Sequence, residues 1–274
     1  MSATTLASRP KREWKRPKIG SVLQHAYIWF WLALFVLPFV VTILRSLEDP
    51  DGGRSFAAYS TVYSSFWSYL RLSIEMTVLT IAINLLIGIP AAYAIVRHPI
   101  PGKRLILSVL NLALYTPGAV MGISLAITYA FLFHIPHSYT GLIAAYVVGT
   151  YPLMLVPIIV ALRDLPTMYE EAARTLGANR LQSFFRVELP LLGPGISAGI
   201  LLTFVIVFNE FLVTLFIAGP GTTTAALRVY GLTRTGFLPS TAAVAAVMQF
   251  VSFLVVLTFF KAFGSRYLKG TYLI

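Results

Sequence analysis

Six long apolar runs, separated by short polar segments, dominate the sequence. They cover residues 27–44, 73–96, 105–133, 141–162, 194–218 and 241–263. Each run is long enough to cross the roughly 30 Å hydrocarbon core of a bilayer. Because lipid offers no hydrogen-bond partner to the backbone, such runs cross membranes as helices. The sequence therefore predicts an all-α integral membrane protein with six transmembrane helices.

Composition and charge support this fold class and predict a topology. Apolar residues make up 57% of the chain and charged residues 11%, whereas soluble domains carry about 25% charged residues. Sixteen of the 21 Lys and Arg residues fall in segments 1–25, 97–104, 163–193 and 261–274. Positive charge accumulates on the cytoplasmic side of membrane proteins, so these segments and both chain ends are predicted to be cytoplasmic.

This topology divides the chain into a basic tail at 1–25, a transmembrane domain at 26–263 and a C-terminal tail at 264–274. The net charge of +11 lies mainly in short segments beside the membrane. Such segments are attracted to anionic membrane lipid. The charge distribution therefore favours contact with lipid and argues against a nucleic-acid partner.

Residues suited to covalent chemistry or metal binding are sparse. The sequence contains no G-x-x-x-x-G-K-[ST] motif, so ATP-driven work would need an ATPase on another polypeptide. Cysteine is absent and the four histidines are scattered near predicted membrane edges, which argues against a metal centre. We expect a chain that is not an enzyme and carries no cofactor or metal of its own.

Residues 163–193 form the longest polar stretch between two apolar runs, and they predict two short helices joined by a bend. Gly177 can adopt the left-handed conformation that ends a helix. Asn179 and Gln182 have the spacing of a capping box at the start of the next helix. The segment therefore has the local signals for a helix end followed at once by a helix start.

Two prolines are expected to mark the outer limits of these helices, with Pro166 in the first turn of the first and Pro190 at the end of the second. Glu170 and Glu171 then lie near the positive end of the first helix. The second helix carries three apolar side chains on one face. These are Leu181, Phe184 and Phe185. A bent element of this kind, attached to membrane helices at both ends, is typical of a docking site for a soluble partner.

The third apolar run is interrupted at residues 115–118 by Tyr-Thr-Pro-Gly. A Pro-Gly pair frees backbone groups, which lipid tolerates only where protein or water covers them. Two interpretations remain open, a break that faces a transport pathway and a packed kink. Two further pairs, Gly118–Gly122 and Gly195–Gly199, have the spacing that permits close approach of helices.

Glu210 is the most informative acidic residue within the predicted spans. It follows Gly195 by fifteen residues, or roughly 22 Å along a continuous helix, in the outer half of the membrane. An ionised carboxylate there costs a few kcal/mol and is expected to face a cavity or a partner. It either lines a substrate path or contacts a sister subunit. Glu75, near the outer end of the second run, can reach the headgroups.

The polar segment also resembles the cytoplasmic loop of bacterial ABC importer membrane subunits. The shared pattern is Glu171-Ala172-Ala173, Gly177, Val187, Leu189 and Pro190, with Val187 where the family more often has Ile. The resemblance implies a type I ABC importer permease fold in which this loop, here named the coupling segment (163–193), forms a helix that docks on the ATPase. The implied coupling residues are Glu170, Glu171, Ala172, Ala173, Gly177, Phe184, Phe185, Leu189 and Pro190.

The resemblance also implies partners and a location. A second permease subunit, different from this one, two ATPase subunits that bind ATP and Mg, and an extracytoplasmic solute-binding protein are expected. The location implied is the bacterial cytoplasmic membrane, which the chain crosses several times. The alternative is a self-sufficient secondary carrier or channel, which would more often show internal repeats or several intramembrane ion-coupling groups.

A second resemblance concerns the substrate. Asn209-Glu210-Phe211, the run from Phe216 to Thr224, and Gly236-Phe237-Leu238-Pro239 are similar to membrane subunits of spermidine/putrescine importers. In that group the position of Asn209 is often acidic as well. The resemblance implies import of a polyamine or a related small amino compound. This resemblance, the interruption at 115–118 and the intramembrane carboxylate together give the expected substrate-pathway residues, which are Asn209, Glu210, Tyr115, Pro117 and Thr214.

Overall fold

The computed structural model describes residues 19–49, 52–234, 236 and 238–264. The first helices are α1 (Ile19–Ser46), α2 (Ala57–Ser65), α3 (Trp67–Arg97), α4 (Lys103–Tyr115), α5 (Gly118–Thr128) and α6 (Tyr139–Asp164). The later helices are α7 (Met168–Thr175), α8 (Arg180–Ser183), α9 (Leu189–Leu191), α10 (Gly193–Phe208), α11 (Leu212–Ile217), α12 (Ala225–Thr233) and α13 (Pro239–Phe259). Single π-helical turns at Tyr129–Phe133, Phe184–Glu188 and Phe260–Gly264 extend α5, α8 and α13.

The predicted all-α membrane fold is confirmed over the described residues, where pairing between strands is limited to an isolated bridge from Glu48 to Arg54. Four helices, α1, α3, α6 and α13, are each long and apolar enough to span a membrane. Two pairs meet the same criterion together but are bent, Lys103–Tyr115 with Gly118–Phe133 by 111° and Arg180–Leu191 with Gly193–Phe208 by 63°. Counting each pair as one span gives up to six. The second pair joins the second helix of the coupling segment to α10, whereas the predicted fifth span at 194–218 covers α10 and α11. The predictions for the basic cluster at 9–18 and for the tail at 265–274 lie outside the described residues.

Helix α6 is the centre of the fold and packs along both α3 and α10. Its contact with α10 is very close at two glycines. A Cβ on Gly195 would lie 2.5 Å from the carbonyl oxygen of Pro157, and one on Gly199 would lie 2.7 Å from Sδ of Met154. The expectation that the Gly195–Gly199 pair permits close helix approach is therefore confirmed, and the partner helix is α6 of the same chain.

A second layer lies toward the predicted outer side. Helices α2, α12 and α13 enclose an apolar cluster around Phe66, Leu70 and Phe208. The cluster is closed by a hydrogen bond from the backbone N of Ala225 to Oγ of Ser73, 2.8 Å long. Helix α1 packs on α13 but leaves most of its apolar surface exposed within the chain, as a helix that faces lipid or another subunit would.

The fifth span differs from its prediction. A single helix was expected over 194–218, but α10 ends at Phe208 and α11 begins only at Leu212. Asn209, at the end of α10, turns its side-chain amide back to the carbonyl oxygen of Val205 at 2.8 Å. The prediction of one continuous helix is therefore wrong, because α10 stops two residues before Glu210.

The third span is broken where the Pro-Gly pair predicted a break, between α4 and α5. The bend lets α5 pack against α11. A Cβ on Gly122 would lie 2.8 Å from Cδ2 of Phe216, and one on Gly118 would lie 3.2 Å from Cδ1 of Leu212. The two broken spans thus pack against each other at their breaks.

Candidate functional site

The bend of the coupling segment is built by Gly177. Its φ of 91° is left-handed, as predicted. The N–H of Gly177 donates to the carbonyl oxygen of Arg174, and that of Ala178 donates to the carbonyl oxygen of Ala173, each at 3.0 Å. This pair of hydrogen bonds is the Schellman motif, which satisfies the last carbonyl groups of α7. Pro166 was expected within the first turn, but α7 begins at Met168, so that prediction is wrong.

The second helix starts with the predicted capping box. The N–H of Gln182 donates to Oδ1 of Asn179 at 2.8 Å, and the N–H of Asn179 donates to Oε1 of Gln182 at 3.0 Å. Pro190 was expected to end this helix, but helical structure continues through Leu191. The π-helical turn Phe184–Glu188 immediately precedes α9. Since proline has no N–H to donate, a wider turn before it accommodates the missing bond.

The residues expected to contact an ATPase differ in exposure. Glu171, Ala172, Gly177, Phe185 and Pro190 are exposed, whereas Glu170, Ala173, Phe184 and Leu189 are partly covered. Phe184 packs edge-on against Tyr93 of α3, with ring centroids 5.4 Å apart. Leu176, which the motif did not single out, is 89% exposed beside the bend. Its position, a hydrophobic side chain just before the helix-ending glycine, is the signal that could have identified it.

A buried ion pair, which the sequence did not suggest, anchors the coupling segment to the membrane helices. Glu188 is 1% exposed, and its Oε2 lies 3.6 Å from Nη2 of Arg97 at the end of α3. The same guanidinium donates to the carbonyl oxygen of Leu165 at 3.3 Å. Burial, and then the nearby Glu170 carboxylate, raise the pKa of Glu188, while Arg97 opposes the shift. Arg97 therefore connects α3 to both ends of the coupling segment.

The second candidate site is a cavity of about 410 Å³ where the two broken spans meet α6. Glu210 lines it together with Thr116 and Gly118 of the α4–α5 break and Tyr146 and Thr150 of α6. One carboxylate oxygen of Glu210, Oε1, accepts a hydrogen bond of 2.9 Å from the N–H of Val213. The cavity thus contains a carboxylate whose orientation is set by the start of α11.

The other expected pathway residues are dispersed. Asn209 faces a separate cavity of about 610 Å³ between α10, α12 and α13. Thr214 is buried, and its hydroxyl pairs with that of Tyr146 at 2.5 Å. Tyr115 is 82% exposed, and Pro117 lies between α4 and α5 without lining the Glu210 cavity. The structure therefore brings Glu210, but not Asn209, to the broken third span.

Oε1 of Glu75 accepts a 2.9 Å hydrogen bond from the hydroxyl of Tyr139 near the N-terminal ends of α3 and α6. Within the described residues no three His, Asp or Glu side chains are grouped as metal ligands would be.

Comparisons with known proteins assign these features to a family. The family described as "Binding-protein-dependent transport system inner membrane component" matches residues 84–269. PotC, a spermidine/putrescine transport system permease protein of Escherichia coli (strain K12), is 24% identical over 87% of this chain and 93% of its own length. ModB, a molybdenum transport system permease protein of the same strain, is 36% identical over 53% of this chain and 69% of its own length. CysT of Salmonella typhimurium, a sulfate transport system permease protein, is 28% identical over 85% of this chain and 91% of its own length.

Solved structures agree on the fold. A chain of a bacterial ABC transporter that imports the acidic polysaccharide alginate matches with a TM-score of 0.71 and 18% identity, over 95% of this chain and 99% of that one. A chain of the MetNI methionine ABC transporter in an inward-facing conformation matches with a TM-score of 0.60, over 71% of this chain and 92% of that one. The chain therefore belongs to the binding-protein-dependent transport system inner membrane components and is a permease subunit of an ABC importer.

Proposed function

We propose that this permease passes movement of a separate ATPase to its membrane helices through the coupling segment. The exposed bend at Gly177, with Leu176 beside it, offers a surface for the ATPase. The Arg97–Glu188 pair and the packing of Phe184 on Tyr93 attach that surface to α3. A nucleotide bound to the ATPase can shift the conformation of the membrane helices only if the contacts between ATPase and permease differ between the two states. The coupling segment is where we place those contacts. Family membership decides against the alternative of a self-sufficient carrier or channel.

The assembly that we propose contains this chain, a different second permease subunit, two ATPase subunits and an extracytoplasmic solute-binding protein. It lies in the bacterial cytoplasmic membrane with both ends of this chain in the cytoplasm. ATP and Mg bind to the ATPase subunits, and this chain holds no cofactor.

The substrate class that we propose is a small cationic amino compound, such as a polyamine. The observation that carries this proposal is Glu210, a carboxylate in a cavity whose lining residues include no Lys, Arg or His. A cation loses hydration when it enters such a cavity, and a nearby carboxylate offsets part of that cost. An anion would meet the same carboxylate with no compensating cation. The similarity to PotC over 87% of the chain supports the same class.

The test is uptake by the assembled importer in proteoliposomes with its binding protein, using spermidine or putrescine. Glu210→Gln keeps the shape of the side chain and an oxygen that can accept the bond from Val213, but it removes the charge. We expect uptake to fall at least about tenfold, since one lost charge contact in a site of low dielectric costs more than ~1.4 kcal/mol. Assembly and basal ATPase activity should persist.

Thr233→Val is a suitable control, because Thr233 lines the Asn209 cavity rather than the Glu210 cavity. Unchanged polyamine uptake in Glu210→Gln would contradict the cationic pathway. Robust uptake of molybdate or sulfate would instead assign the chain an oxyanion substrate, as the printed names of ModB and CysT describe for those proteins. Loss of assembly in Glu210→Gln would assign the carboxylate to a subunit interface.

A further inference from the structure

An apolar groove of about 500 Å³ separates the last turns of α3 from the second helix of the coupling segment. On one side lie Leu86, Ile89 and Tyr93, and on the other lie Leu181 and Phe185. This groove is distinct from the Glu210 cavity and from the concave surface around Gly177.

The groove is open to the surroundings of the chain. Leu86 is 75% exposed, Leu181 is 69% exposed and Phe185 is 59% exposed. From Leu85 to His98, the residue just past the end of α3, the groove follows fourteen residues, or about 20 Å along the helix axis. That length is comparable to one leaflet of a bilayer, whose hydrocarbon core is ~30 Å thick over both leaflets. The groove is therefore about as long as a single lipid leaflet is thick.

The cytoplasmic mouth of the groove is basic and aromatic. Arg180 and His98 are exposed there, and Arg180 makes no ion pair with a carboxylate in the described part of the chain. The ring of Tyr93 lies 6.3 Å from that of His98, centroid to centroid. Tyr side chains are enriched where hydrocarbon meets water.

Carboxylates near this mouth are already paired. Glu188 pairs with Arg97 at 3.6 Å, and Glu170 pairs with Arg174 at 4.0 Å. An anion at the mouth would therefore meet donors on Arg180 and His98, with both neighbouring carboxylates partly neutralised. The charge at the mouth and the apolar surface below it complement one kind of molecule, with an anionic head and a hydrocarbon tail.

We propose that the groove binds an anionic phospholipid. Its phosphate lies at Arg180 and His98, and an acyl chain lies along Leu86 and Ile89. The lipid contacts α3 and the coupling segment together, so lipid composition influences how firmly the segment is held against the membrane domain. This inference goes beyond the proposed function, because it holds for any transported substrate.

The experiment uses the purified importer complex in detergent, supplied with equal parts of phosphatidylglycerol and phosphatidylcholine and examined by native mass spectrometry. Wild-type complex should retain phosphatidylglycerol preferentially. Arg180→Gln should reduce that preference about fivefold, as expected for the loss of one cation at a lipid headgroup. Lipid retention is the measurement because Arg180 also borders the concave surface around Gly177, where transport could change for another reason.

Arg186→Gln is the matched control, since Arg186 is exposed on the same segment and does not line the groove. It should keep the wild-type preference. Ala94→Phe keeps Arg180 and His98 and fills the groove with a ring, so it should lower retention of phosphatidylglycerol while the complex elutes normally on size exclusion.

Three results would overturn the proposal. The first is equal retention of the two lipids by the wild-type complex. The second is an equal loss of preference in Arg186→Gln and Arg180→Gln, which would indicate general surface attraction. The third is a photo-crosslinker on Leu181→Cys that captures the ATPase or the second permease instead of lipid.

Discussion

At the scale of single residues, the Arg97–Glu188 pair decides how the coupling segment is held. Glu188 is almost completely buried and Arg97 is largely buried. Removing one member of a buried pair leaves an uncompensated charge, which typically costs ~3–5 kcal/mol, whereas replacing both members with apolar groups is often neutral. The pair therefore acts as a unit, and replacing only one of its members with a neutral residue should destabilise the protein.

We predict that Arg97→Met lowers the unfolding temperature of the complex strongly, and that the double variant Arg97→Met, Glu188→Met recovers most of the loss. Thermal unfolding followed by size-exclusion chromatography measures both. Arg163→Met is a control, because Arg163 is an exposed basic residue near the other end of the segment. A single variant as stable as wild type would show that the pair contributes nothing to the attachment.

The pH dependence of Arg97→Met follows from the raised pKa of Glu188. A carboxyl group whose folded pKa lies above its unfolded pKa favours folding while it is protonated, and this contribution is lost as pH rises through the folded pKa. Without Arg97 the folded pKa rises further. The stability deficit of Arg97→Met should therefore shrink as pH is lowered toward the ordinary range of a glutamate, and a deficit independent of pH would exclude this cause.

A further prediction at the residue scale concerns Gly177. Its φ of 91° is unfavourable for a β-branched residue, although a Cβ there would have no atom within 4 Å. Gly177→Val should therefore distort the bend and reduce uptake and binding-protein-stimulated ATPase activity. Gly177→Asn should retain much more of both, since Asn tolerates the left-handed region. Equal activity of the two variants would show that backbone conformation at this position is unimportant.

At the scale of elements, the contact of α6 with α10 depends on small residues. A Cβ on Gly195 would approach the fixed backbone oxygen of Pro157, while a Cβ on Gly193, two residues earlier, would meet nothing within 4 Å. Gly195→Ala should destabilise the complex by ~1–3 kcal/mol through overpacking, whereas Gly193→Ala should be neutral or slightly stabilising. Comparison of their unfolding temperatures tests this, and similar values would contradict such a close contact.

At the scale of the whole molecule, the prediction concerns topology. The coupling segment is expected in the cytoplasm and α2 on the opposite side, and the absence of cysteine allows single labels. Met168 and Tyr63 are suitable positions, being 63% and 79% exposed, whereas Ser183 is buried. In intact cells an impermeant maleimide should label Tyr63→Cys but not Met168→Cys. The reverse pattern would invert the assigned orientation.

Much of this architecture could be predicted from the sequence, because the determining physics is local. Apolar runs of membrane length, the capping box at Asn179 and the left-handed glycine at 177 depend on neighbours a few residues apart. Their outcomes agree with the structure. Pro166 was placed wrongly, because the N-cap of α7 is Thr167 and the proline precedes it. The second helix ends at Leu191, one residue beyond Pro190.

The sequence by itself determined the class of fold, the bend of the coupling segment and the presence of a carboxylate within the fifth span. Only the tertiary structure decided which groups meet. It interrupts the fifth helix at Asn209, turns Asn209 and Glu210 toward different cavities, and joins Arg97 to Glu188 across ninety-one residues of chain. The physical reason is that such contacts depend on the packing of α3, α6 and α10. The residues that neighbour a side chain in the sequence do not determine which distant side chains pack against it.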